Sequence, residues 1–117
     1  MNLLLVFIGG GIGSLARYGL SFVFLRTVIQ FPIATFLANV LATLLVAVTS
    51  IFIFKKPEFQ WLQPLVLIGF CGGFSTFSTF SMETIQLLHS GNALLALLNI
   101  FLSLTICLGT VYYLTKP

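Results

Sequence analysis

Charge is what this sequence has least of. Five basic and two acidic residues make up 6% of its 117 positions, where a soluble domain carries about 25%. No charged residue lies between Arg26 and Lys55, and none between Glu58 and Glu83. After Glu83 only His89 can titrate before Lys116. Each gap exceeds the roughly 20 apolar residues that cross a bilayer. A water-facing surface cannot be built from this supply. The net charge of +3 is too sparse for nucleic acid and belongs to loop ends at a membrane surface.

Other shortages exclude further classes. The two cysteines, Cys71 and Cys107, sit inside apolar segments without CxxC or Cys/His spacing, so neither a metal site nor a disulfide is expected. No Ser/His/Asp set includes a mid-membrane His, and no activity as an enzyme is expected. No Lys or Arg precedes the apolar run Leu3 to Ile8, which reads as a retained helix rather than a signal peptide.

What is present is apolar: 59% hydrophobic residues and a mean hydropathy of +1.16. The pattern predicts an all-α membrane protein, one domain over residues 1–117, with four spans. They run from about Asn2 to Leu25, Pro32 to Phe54, Trp61 to Leu88 and Asn92 to Thr115. Pro32 suits a helix start, where its missing N–H costs nothing. Trp61, Tyr112 and Tyr113 fall near span ends, where amphipathic rings prefer the interface.

Both termini share a side with the second loop, giving Lys55, Lys56 and Lys116 there against Arg26, and Arg17 if it snorkels, on the other. The basic bias favours cytoplasmic termini by only one or two residues, so insertion in both orientations is compatible with the sequence. Four thin helices also leave little interior for a pathway. Any polar track would face lipid unless a second subunit covered it, which favours an oligomer.

One stretch resists the plain reading. Gly69 to Glu83, GFCGGFSTFSTFSME, places adjacent glycines and clustered hydroxyls deep in the third span. Gly costs about 1 kcal/mol in a helix interior relative to Ala. Irregular backbone at membrane depth survives only where protein buries it or water lines it. The glycines therefore serve either close helix packing or a break whose freed carbonyls hold a cation. Beyond them, Phe77 and Phe80 share a helix face, beside Ser78 and Thr79, with Ser75, Thr76, Ser81 and Thr84 adding hydroxyls. Such hydroxyls can bond back to the preceding turn. Interleaved with positive ring edges, they also form a lining suited to a small anion. Asn39, with Thr35 one turn before it, needs a polar partner in mid-span. Arg17 either reaches headgroups or draws anions into a vestibule. Glu83, toward the end of its span, reads as a solvated carboxylate. Ser103 alone is uninformative.

Together, GGGIGSLARY, TFLANV, GFCGGFSTFSTFSME and a Ser in the fourth span resemble the CrcB/Fluc family of fluoride channels, over nearly the whole chain. The resemblance implies a third helix broken at mid-membrane and an antiparallel, dual-topology dimer of two copies or of a copy with a paralogue. It implies two fluoride pathways at the dimer interface and a structural Na+ at its centre, held by backbone carbonyls of Gly72 and Ser75 from each subunit. Phe77 and Phe80 would then line the fluoride path with their ring edges, with Asn39, Ser78, Thr79 and Ser103 as donors. Arg17 would sit near an entrance and Glu83 near a pore end. Ser75 stands where the family usually has Thr, Ala34 and Ala42 where glycines are common, and Cys107 where a hydroxyl is often found. The function implied is passive fluoride export across a bacterial-type inner membrane, which lowers fluoride toxicity. Two rivals are a small proton-coupled multidrug transporter and a membrane assembly subunit. The first needs a carboxylate in the membrane, typically in the first helix, and this first span has none.

Overall fold

The computed structural model of the chain describes residues 2–25 and 30–117. Arg26, counted above in the topology argument, lies outside the described residues. Within them the chain is helical, and four stretches are long and apolar enough to cross a membrane: Asn2–Val23, Ile33–Lys55, Gln63–His89 and Ala93–Leu114. These match the four spans read from the charge gaps. We label Asn2–Val23 α1 and Ile33–Lys55 α2. A 3-10 turn at Pro57–Phe59 leads into the third span.

That span changes conformation along its length. Gln63–Phe70 is a π-helix, wound so that the Cys71 N–H donates to the Val66 carbonyl five residues back. A single α-turn follows, α3 (Cys71–Phe74). Ser75 and Thr76 are extended, with ψ of 156° and 121°. The α-helix then resumes as α4 (Phe77–His89). Two local causes support the extended pair. Gly72 and Gly73 are weak helix formers. The Ser75 hydroxyl donates to the Cys71 carbonyl at 2.6 Å, competing with the helical pattern.

The turn into α5 (Ala93–Leu114) is a Schellman motif. The Gly91 N–H donates to Leu88 O and the Asn92 N–H to Leu87 O. Gly91 has φ +85°, a conformation that costs a residue with a Cβ far more than glycine.

The densest packing joins α1 to the third span through glycines. A Cβ on Gly69 would sit 3.0 Å from the Gly9 Cα, and one on Gly73 would sit 2.5 Å from the Gly10 carbonyl oxygen. A Cβ on Gly13 would collide with the Phe70 carbonyl. The packing reading of these glycines therefore holds at Gly69 and Gly73, where small residues let two backbones touch. It does not hold at Gly72, which is exposed and has nothing within 4 Å of an added Cβ. On the other flank α2 packs against α5, and α4 also packs against α5. A small core of Ala38, Ala42, Cys71 and Phe74 joins α2 to α3.

The molecule measures 51 × 32 × 19 Å. A helix with its side chains is about 10–12 Å across, so the shortest dimension holds fewer than two helices. Large hydrophobic side chains cover the outside, from Leu3 and Phe7 on α1 to Phe101 and Leu108 on α5. A continuous apolar exterior of this kind marks a multi-pass membrane protein rather than a water-soluble one.

Candidate functional site

The site begins at the two extended residues, because leaving the helix strips them of their helical partners. Asn39 on α2 supplies replacements. The Thr76 N–H donates to Asn39 Oδ1 at 2.7 Å, and Asn39 Nδ2 donates to the Thr76 carbonyl at 3.3 Å. One side-chain amide thus pairs with Thr76 as a neighbouring strand would. This is the polar partner that a mid-span Asn requires. Among the described residues, the second Asn39 N–H has no partner. The Thr76 hydroxyl oxygen accepts the Thr79 N–H at 3.2 Å and caps α4.

Arg17 acts on the same bend. Its Nε donates to the Gly73 carbonyl at 3.1 Å. That carbonyl has lost a helical donor because the helix ends one residue later. The half-buried guanidinium is thus engaged by the backbone of the bend. Two neighbouring carbonyls are different. Among the described residues, nothing donates a hydrogen bond to the Gly72 or Ser75 carbonyl oxygen.

Four of the residues singled out from the sequence meet in one place. Asn39, Phe77, Phe80 and Ser103 line an open pocket of about 230 Å³, together with Thr43, Ser75, Thr76, Leu104 and Cys107. The Phe77 and Phe80 rings lie 5.8 Å apart at 34°. Phe80 is 9% exposed and Phe77 76%, so one ring is fixed by this chain and the other projects beyond it. Ser103 is buried at the pocket wall.

Ser78 and Thr79 do not line that pocket. Ser78 is exposed and within 3.2 Å of the Thr76 hydroxyl. Thr79 lines a second hollow, with Glu83, Thr35, Ser21 and Gln30. There the Thr35 hydroxyl donates to the Glu83 carboxylate, which is half-buried rather than freely solvated. Glu83 also borders a polar opening with Gln30, Gln86, Ser90 and Asn92. Ser81 and Thr84 bond back to the Phe77 and Phe80 carbonyls at 2.9 and 2.7 Å, as helical hydroxyls do.

Sequence reasoning missed Asn99. It is 1% exposed. Its Nδ2 donates to Thr84 Oγ1 at 2.9 Å, and its Oδ1 accepts from Ser103 Oγ at 3.3 Å. The available signal was an amide in the fourth span, four residues before Ser103 and therefore on the same face.

Comparison with known proteins adds an independent line. The model of the family described as CrcB-like protein, Camphor Resistance (CrcB), matches residues 4–114. A Coxiella burnetii protein (strain CbuK_Q154) is 43% identical over 112 residues, covering 93% of this chain and 90% of the relative. A Pyrococcus furiosus protein is 50% identical over 98 residues, covering 83% and 79%. A Shewanella baltica protein (strain OS155) is 43% identical over 117 residues, covering 95% and 90%. All three are named as fluoride-specific ion channels, FluC.

Proposed function

Because the chain belongs to the CrcB-like, camphor-resistance family, we propose that it is a passive fluoride-selective channel. The observation that carries the reading is the pocket shared by Asn39, Phe77, Phe80 and Ser103. Fluoride is strongly hydrated, so a path for it must replace water with donors and positive edges. Asn39 holds an N–H with no partner among the described residues, and phenyl rings carry a positive edge. Ser103 lines the pocket and Thr79 the second hollow, while Ser78 lies exposed beside the Thr76 hydroxyl. Among the described residues no carboxylate lines the pocket beside the rings; Glu83 stands at the neighbouring opening, engaged by Thr35.

The path is completed by a second copy or a paralogue in antiparallel orientation. The exposure of Phe77, the openness of the pocket and the thinness of one chain support this. We place the Ser75–Thr76 bend at mid-membrane, where irregular backbone requires cover. A structural Na+ fits the same contact. Hard cations take oxygen ligands, and Gly72 and Ser75 offer carbonyl oxygens without donors beside a glycine that this chain's own packing does not require. Bound there, the ion would supply fixed positive charge joining two bends, while Arg17 and Asn39 hold each bend in shape.

In a bacterial-type inner membrane such a path needs no catalysis and no fuel. Hydrogen fluoride enters unaided and dissociates in the more alkaline cytoplasm. The membrane potential then drives the anion outward with about 2.3 kcal/mol per charge per 100 mV. The test is fluoride release from liposomes holding this protein alone, followed with a fluoride electrode and with chloride as control. Rapid release of fluoride but not chloride is expected of a self-sufficient channel. Folded protein that releases neither ion, alone or with a paralogue, would overturn the reading.

A further inference from the structure

A chain of hydrogen bonds with a fixed direction runs behind the pocket wall. The Thr84 hydroxyl donates its one proton to the Phe80 carbonyl. Its oxygen can then only accept, and it accepts from Asn99 Nδ2. Turning the amide over would set Oδ1 against an oxygen with no proton to give. The Phe80 carbonyl thereby fixes Asn99 with Nδ2 toward Thr84 and Oδ1 toward Ser103. Ser103 in turn donates its proton to Asn99, at 3.3 Å. Ser103 lines the pocket, whereas Asn99 lies behind it, 1% exposed. The hydroxyl at the wall therefore shows the pocket its lone pairs and not its proton.

We infer that Asn99 is a positioning residue that sets selectivity through the direction of the Ser103 hydroxyl. This rests on the channel reading above. An anion draws the Ser103 proton into the pocket only by breaking the bond to Asn99, which leaves a buried acceptor bare. Fluoride is the stronger acceptor and compensates for that loss; chloride compensates less. Removing the Asn99 acceptor frees the proton for either anion, so discrimination falls while the rings and Asn39 remain in place.

The experiment compares initial fluoride and chloride release rates from liposomes holding the wild-type protein, Asn99→Leu, Thr84→Val, Ser103→Ala and the Asn99→Leu/Ser103→Ala pair. Asn99→Leu is expected to lower the fluoride-to-chloride ratio about fivefold, the scale of one net hydrogen bond. Thr84→Val, which keeps the side-chain shape but no longer dictates the amide orientation, moves the ratio the same way by less. In the Ser103→Ala background, Asn99→Leu produces no additional change. A purely structural Asn99 predicts lower yield or stability with an unmoved ratio. It also predicts the same effect whether or not Ser103 is present. Either result overturns the proposal, and Thr84→Val alone decides it should Asn99→Leu not fold. Wild-type protein that carries no fluoride would instead remove the channel reading itself. Wild-type flux with an unmoved ratio removes only the role of Asn99.

Discussion

The two halves of the third span use the same small and polar residue types for opposite ends. Before Ser75, glycines bring backbone against backbone, and Gly69 and Gly73 touch α1 with no room for a methyl group. After Ser75, the side chains matter, with two phenyl rings, a capping hydroxyl and a clamped peptide beside a pocket. The first half is held backbone to backbone against α1, with Ile68 and Gly72 left exposed. The second is open, and its Phe77 ring lies mostly outside the chain that bears it. A glycine and a hydroxyl at membrane depth thus mean different things according to which side of the bend they occupy.

The largest expected effect breaks the first half. Gly13→Val sets a branched side chain against the Phe70 carbonyl and the Phe74 nitrogen. Backbone there cannot give way, so the loss should reach about 3 kcal/mol, the upper end for overpacking. Thermal unfolding in detergent and the yield of monodisperse protein would register it. An unchanged melting curve would mean that α1 and the third span do not approach as closely as described.

Phe80→Ile probes the second half. Fluoride flux should fall about fivefold as the ring edge is lost, a scale set by aromatic contacts of roughly 1 kcal/mol. Assembly, read by size-exclusion chromatography, should stay intact. Loss of assembly with residual flux would make Phe80 a packing residue and erase the contrast between the halves.

Thr76→Val acts at the junction. It keeps the side-chain shape and the Asn39 clamp but removes the acceptor for the Thr79 N–H. Loss of the cap should cost about 1 kcal/mol in unfolding experiments. Gly72→Ala should matter least to the isolated chain. No atom lies in the way of the added methyl, and the helical preference of Ala would add at most about 1 kcal/mol of stability. If Gly72 faces a second copy, the same change weakens dimerisation, and comparing chain stability with dimer affinity separates the two roles.

The spans were legible in the sequence because charge is prohibited where lipid lies, and the gaps between charges bound each helix. The start of α2 after Pro32 followed from backbone chemistry that a single residue dictates. Partners distant along the chain were less legible. That Arg17 donates to Gly73, 56 residues away, depends on how α1 crosses the third span. That Thr35 engages Glu83 depends on how α2 meets α4. Asn99 gave a composition signal, but its meaning lies in Thr84 across the α4–α5 turn. The π-helix had no sequence signature at all, since it is a difference in winding and not in residue type. The density of hydroxyls around Phe77 stands out in the sequence. Their division into caps, back-bonds and pocket wall depends on which helices each one faces.

The contact between Gly69 and Gly9 has a consequence for motion. Two backbones in contact, with no side chains between them to flex, behave as one stiff body. Sliding α1 along the third span would drive carbonyls into α-carbons within a fraction of an ångström. Faster motion beside the pocket therefore belongs to lighter parts, such as the exposed Phe77 ring. Exposed rings and hydroxyls turn over in picoseconds to nanoseconds, whereas collective helix shifts take microseconds or longer. A pocket whose frame is locked and whose Phe77 ring can turn changes shape without any shift of its helices.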